Sequence, residues 1–290
     1  MAGVGDILDQ VHQLPALPSS VSRIIAALLS DDTQLYEIER IVRLDEAVTA
    51  TVLRYANSVQ YGSPGRVFSL KESIVRLGAK MLLRIALQHQ ISPAFLDGGT
   101  AYGLARGALW RGTLAGAIAA EGLACANRFP DPDLAFLCAL MRDIGKLVID
   151  MCAAPRQLAA AAELVQPDEC FLDRERELLG TDHAQLGAAL ARRWNLPRRI
   201  ADAIRYHHRP PAAPPDHDRL FDIVHAADVL CLWTGLATGC DGLQYPLTPH
   251  VRDQLLGKRD RAEYYMTAMW TGLTEYEAAM DNDALQGMSA

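Results

Sequence analysis

The chain has 290 residues, 50% of them hydrophobic, and a formal net charge of −7. This composition can bury a core and excludes a disordered chain, a collagen-like chain and a small disulfide scaffold; at roughly 150 residues per domain, the length suits one large or two modest domains. The acidic balance lacks the cationic surplus of a general nucleic-acid binder, and no uncharged apolar run reaches the roughly 18 residues of a membrane span.

The N-terminus, MAGVGDILDQVHQLP, carries Asp6 and no basic stretch, so it does not read as a secretory leader. Leu14-Pro15-Ala16-Leu17-Pro18 reads as a stiff extended lead-in, and Ser19 or Ser20 can cap the helix that follows. Four apolar stripes at helical spacing come next. They are Val21, Ile24, Ile25, Leu28 and Leu29; Leu35, Ile38, Ile41 and Val42; Val48, Val52 and Tyr55; and Ile74, Leu77, Met81, Leu82 and Ile85. Asn57 to Ser69 is a Gly/Pro loop, with Asn57 and Ser58 at a helix end, where Asn commonly serves the C-terminal turn. Ser92 to Gly103 holds Pro and three Gly and is the best interdomain boundary.

The second half reads the same way. GTLAGAIAAEGLACA and DRERELLGTDHAQLGAALARRW are rich in helix formers, and Thr181 or Asp182 can cap a helix beginning at His183. Arg209 to Asp218 holds four prolines and forms a surface loop. Tyr264, Tyr265, Met269 and Trp270 make a last apolar stripe that reads as core packing, and the chain frays from about Asp281. No stretch alternates with period two, so the expected fold is all-α.

Six cysteines, Cys125, Cys138, Cys152, Cys170, Cys231 and Cys240, show no CxxC spacing and read as reduced, buried small hydrophobes of a cytoplasmic protein. There is no GxxxxGK[ST], GxSxG or HExxH pattern; Gly103 and Gly107 open a helical stretch but signal little about phosphate.

The order of motifs carries more. LPALPSSVSRIIAALL precedes IVRLDEAVTATVLRYANSVQYGSPGRVFSLKESIVRLGAKMLLRIAL. LWRGTLAGAIAAEGLA, AFLCALMRDIGKLVIDM, TDHAQLGAALARRWNLPRRIADAIRYHHRP and FDIVHAADVL follow. Over residues 13–235 this resembles the HDOD family. The resemblance implies a two-lobed helical protein: an N-terminal helical lobe over 13–97, and an HD-like helical lobe over 101–290 with a C-terminal helical extension.

HDOD domains look like divergent relatives of the HD phosphohydrolases and HD-GYP phosphodiesterases, in which His and Asp from separate helices grip one or two metal ions that activate water. Position by position, a family histidine is replaced here by Gly112, and the His of the His-Asp doublet by Arg142, beside Asp143. His183, His207, His208 and Asp228 stand where the family has matching residues. Glycine offers no ligand, and a guanidinium has no lone pair to donate. Arg142 is therefore expected to replace the metal electrostatically, pairing with Asp143, Asp228 or both, and no cofactor is expected. Asp143 and Asp228 read as buried carboxylates that need partners. His207 and His208 read as partly protonated residues at a helix end, and Lys146 as a solvated lysine or a phosphate contact.

The resemblance implies a cytoplasmic, non-enzymatic signalling module of bacterial type that acts through a protein partner or by sensing a ligand, without membrane attachment. Two other readings stand beside it. One is a residual metal-dependent phosphohydrolase acting on a nucleotide or cyclic dinucleotide through Asp143, His183, His207, His208 and Asp228. The other is a catalytically dead nucleotide receptor with Arg142 and Lys146 as phosphate contacts.

Overall fold

The computed structural model describes residues 4–10, 25, 35–43, 46–57, 67, 69–165, 169–211, 218–257 and 259–287. Among these no strand occurs, and no helix is long and apolar enough to cross a membrane. The chain divides into two compact units. One comprises Met1–His12, Phe95–Ala191 and Arg198–Ala290; the other comprises Gln13–Ala94 and Arg192–Pro197. The Leu14–Pro18 lead-in, Ser19, Ser20, Ser58, most of the first stripe and the middle of the proline loop lie outside the described residues.

The larger unit opens with α1 (Val4–Gln10). The smaller unit holds α2 (Leu35–Val42), α3 (Glu46–Ala56) and the greater part of α4 (Leu70–Asp97). Their stripes are buried as the periodicity requires: Ile38, Ile41 and Val42; Val48, Val52 and Tyr55; Ile74, Leu77, Met81, Leu82 and Ile85. Asn57 satisfies the end of α3, its Nδ2 donating to Leu53 O at 2.8 Å, and exchanges two further bonds with the Val67 backbone. The fourth stripe is not one straight helix. Gly78 has φ 74° and ψ 169°, a conformation open to glycine, and it kinks α4.

The larger unit continues with α5 (Ala108–Ala126), α6 (Pro132–Met141), α7 (Ile144–Cys152), α8 (Pro155–Ala162), α9 (Phe171–Leu179), α10 (His183–Arg193), α11 (Arg198–Tyr206), α12 (Arg219–Trp233) and α13 (Arg259–Gly287). The sequence cuts these helices sharply. Asp131 caps α6 by accepting from Leu134 N, with Pro132 in the first helical position. Asp182 caps α10 by accepting from Gln185 N at 2.7 Å. α5 packs on α6, α12 and α13, and α6 is buried from Leu134 to Met141.

Three local expectations are corrected. On α13, Tyr265 and Met269 are core, but Tyr264 and Trp270 are 67% and 43% exposed, so the stripe is split between core and surface. The same helix runs past Asp281 to Gly287. Cys125 and Cys152 are exposed, although Cys138, Cys170 and Cys231 are buried.

Candidate functional site

The junction of α6 and α7 is two residues long, Arg142 and Asp143, and both side chains are buried. Arg142 Nε donates to Asp228 Oδ1 at 2.7 Å and lies 3.2 Å from Asp143 Oδ2. Its Nη1 donates to Ala139 O at 2.8 Å, and its Nη2 to Gly112 O at 3.2 Å. Burial presses Arg142 toward its neutral form, but Asp143 and Asp228 outweigh it and raise the guanidinium's pKa. Burial likewise opposes charge on both carboxyls. Lys146 and Arg142 at Asp143, and Arg142 and His208 at Asp228, hold them well below the usual range.

Gly116, one turn after Gly112 on α5, makes room for this guanidinium. A Cβ at Gly116 would stand 2.4 Å from Arg142 Nη1. A Cβ at Gly112 would stand 2.2 Å from Ala237 Cβ, so a histidine there has no place to sit. Ala237 itself has φ 53°, a left-handed conformation that costs a residue with a Cβ about 1–2 kcal/mol. Thermal unfolding should therefore show Ala237→Gly at or above the wild-type Tm. Gly112→Ala should lose about 1–3 kcal/mol by overpacking, and Ala237→Gly should recover most of that loss. Independent, additive effects of the two substitutions would refute the contact.

Lys146, one turn into α7, is 3% exposed, which corrects the expectation of a solvated lysine. Its Nζ donates to Asp241 Oδ2 at 3.0 Å, lies 3.3 Å from Asp143 Oδ1, and sits 4.9 Å from the centre of the Tyr102 ring. The histidines are also buried, which corrects the expectation of partly charged helix-end residues for His207 and His208. Burial lowers the pKa of His207 to about 4 and puts that of His208 well below its ordinary value. Both are neutral at pH 7.

Each ring is anchored through Nδ1. His183 Nδ1 is 2.9 Å from both oxygens of Glu175, and His207 Nδ1 is 2.6 Å from Ile204 O. His208 Nδ1 is 3.1 Å from Asp228 Oδ2, a close electrostatic contact outside hydrogen-bond alignment. His183 Nε2 and His208 Nε2 face each other at 3.0 Å. Gly112, Arg142, Asp143, His183, His207, His208 and Asp228 thus meet in one cluster, with Lys146 at its edge.

α7 and α10 touch backbone to backbone, which brings Asp143 beside His183. A Cβ at Gly145 would lie 1.8 Å from His183 O. Sequence reasoning missed Glu175, Asp241, Tyr102 and Tyr245. Glu175 is fully buried and also accepts from Tyr102 Oη at 2.6 Å; Asp241 accepts from Tyr245 Oη at 3.0 Å. Glu175 sits in a charge-rich helix and Asp241 in a turn, and neither context marks a buried partner.

α7, α10, α12 and the end of α11 assemble a buried histidine–aspartate centre in a chain whose described residues form helices and no strand. The chain belongs to the HDOD domain family, whose model matches residues 14–210. An uncharacterised protein of Treponema pallidum (strain Nichols) is 29% identical over 228 residues, 77% of this chain; the chain spans 43% of that relative's length. A crystal structure of an HDOD domain protein of unknown function from Geobacter sulfurreducens is 27% identical, with a TM-score of 0.71 over 96% of each chain. A protein proposed to act in signal transduction, from Marinobacter aquaeolei VT8, is 25% identical, with a TM-score of 0.71 over 94% of this chain and 60% of its own.

HD-type enzymes hold metal at this centre, and the residues present fit such an ion on one side only. On the side of Asp228, Gly112 offers no donor and the Arg142 guanidinium fills the space between the carboxylates. On the other side, Asp143 Oδ1 and His207 Nε2 are buried without a hydrogen-bond partner. An ion there would be held by Asp143, His183, His207 and His208, and the chemistry it could supply is Lewis acidity.

Proposed function

We propose that the chain is a non-enzymatic regulatory module of a bacterial signalling pathway. The observation that carries this reading is Arg142, which is 1% exposed and paired with both carboxylates that an HD-type catalytic ion would need. A fixed cation cannot activate water, since it has no coordination position to offer. Burial supports the same reading: Asp143, His183, His207, His208 and Asp228 are each 3% exposed or less, which leaves a substrate phosphoryl group no approach. The likeness to the Marinobacter signalling protein agrees with it.

A nucleotide receptor draws less support, because the charges of Arg142 and Lys146 are already matched by Asp228, Asp143 and Asp241. Assays of the protein loaded with Mn2+, Fe2+ or Zn2+ against linear nucleotides, cyclic dinucleotides and phosphomonoesters test the proposal. The expected turnover equals that of Asp143→Asn. Metal-dependent turnover that Asp143→Asn abolishes would overturn it.

A further inference from the structure

We infer that the outer face of α13 pairs with the same face of a second copy of this chain, as an antiparallel helix pair about a two-fold axis beside Ala268. The inference does not rest on the functional reading above, and α13 lies outside residues 14–210, which the family model matches.

Three observations carry it. First, the face is uncharged where a solvent-facing helix is ordinarily charged. No Asp, Glu, Lys or Arg occurs from Tyr264 to Thr274, so about three turns of α13 carry no charge on any side. Tyr265, Met269 and Leu273 fill the inner side. Gly272 lies against α5, where an added Cβ would stand 3.0 Å from Ile118 Cγ2. The outer side leaves Tyr264, Thr267, Ala268, Thr271 and Thr274 exposed. The hydroxyls of Thr267 and Thr274 donate back into the helix, to Glu263 O at 2.9 Å and Thr271 O at 2.8 Å, and need no outside partner. A tyrosine-bearing patch without charge has the composition of an interface core.

Second, one seam on this side has coiled-coil spacing. Arg261, Tyr264, Ala268, Thr271 and Glu275 follow one another at alternating steps of three and four residues, and all five are exposed. At roughly 100° per residue they fall within an arc of about 80°, a narrow stripe. Ala268 and Thr271 are small enough to admit a second helix at an interaxial distance of about 8–10 Å. Tyr264 supplies the large side chain. It is 67% exposed, and its ring is held edge-on by the Tyr265 ring, with centres 5.5 Å apart.

Third, the charges that end the seam select the occupant. Arg261 and Glu275 stand at equal distances before and after Ala268, and neither forms an ion pair with a described residue. In an antiparallel pair centred on Ala268, Arg261 of each copy meets Glu275 of the other, so an ion pair closes each end. A parallel pair would set Arg261 against Arg261 and Glu275 against Glu275. A two-fold interface must be self-complementary, and this seam is. It carries few large side chains, which places it at the small end of specific interfaces, so the dimer is reversible and in the micromolar range.

The test is sedimentation equilibrium of the full chain from low to several hundred micromolar. The mass should rise from 31.7 kDa toward twice that value. Ala268→Arg sets like charges together on the axis and should weaken association at least about tenfold, with the helix content unchanged. Arg261→Glu and Glu275→Arg should each weaken it as well, because both ends of the seam then repel. An equimolar mixture of these two variants should associate again, since every end meets its opposite. Should Ala268→Arg fail to fold, the mixing experiment decides. A chain that stays monomeric throughout would overturn the inference and leave the face to another protein. A dimer indifferent to Ala268→Arg, or single charge variants that self-associate as tightly as the wild type, would overturn it too.

Discussion

Replacing Arg142 by methionine should destabilise the larger unit by about 3–5 kcal/mol, the range for removing one partner of a buried ion pair. The guanidinium is 1% exposed, and its loss leaves Asp143 Oδ2 and Asp228 Oδ1 without their nearest cation. It also removes one hydrogen bond each from Gly112 O and Ala139 O. At roughly 2–4 °C per kcal/mol, the unfolding temperature should fall on the order of 10 °C. The deficit should depend on pH with a definite sign. In the variant, a stranded carboxyl has its pKa raised above the unfolded value, so the folded state takes up the extra proton. The stability that this proton restores is present at low pH and lost as pH rises, so the deficit should be smaller near pH 5 than near pH 8. Asp228→Asn added to Arg142→Met should recover much of the loss, because the charge left behind, rather than the missing pair, accounts for most of the penalty. A single-variant loss below about 1 kcal/mol, or no recovery in the double variant, would show that the guanidinium does not hold this centre together.

Gly145→Ala should cost at least as much, for a steric reason. The added Cβ would fall 1.8 Å from His183 O and 2.7 Å from Gly187 N, and both are backbone atoms that cannot rotate away. α7 and α10 would have to separate, and overpacking of this kind costs typically 1–3 kcal/mol and more where backbone must move. Gly187→Ala is the informative control. Its Cβ would meet the Ile204 Cγ2 methyl, on a side chain that can turn, at 2.9 Å, and the nearest backbone atom, Gly145 N, only at 3.1 Å. Thermal or denaturant unfolding should rank Gly145→Ala well below Gly187→Ala. Equal stabilities for the two variants would mean that the helices do not cross this closely.

Much of this centre is legible in the chain because its cause is local. The cation beside Asp143 is read directly from Arg142-Asp143, and the missing donor from Gly112. The buried position of Asp143 follows from the apolar residues around it. Lys146 misleads for the opposite reason. Nothing near it in sequence marks it as buried, since the group that holds it, Asp241, is 95 residues away. His207 and His208 look like helix-end residues until α12 covers them. His225 Nδ1 donates to His207 O at 2.7 Å and its Nε2 accepts from Thr248 N, which fixes that covering segment in place.

The sequence by itself determined the helices, their buried stripes and most of their ends, because periodicity, propensity and capping act between residues a few positions apart. It also pointed to Arg142, Asp143, His183, His207, His208 and Asp228 as groups of the centre, but not to Glu175 or Asp241. Only the tertiary structure decided which groups are stripped of water, which cation meets which carboxylate oxygen, and that three imidazoles converge beside Asp143. Desolvation and ion pairing are set by whatever the fold packs against a side chain, and here those neighbours come from helices and turns far apart along the chain.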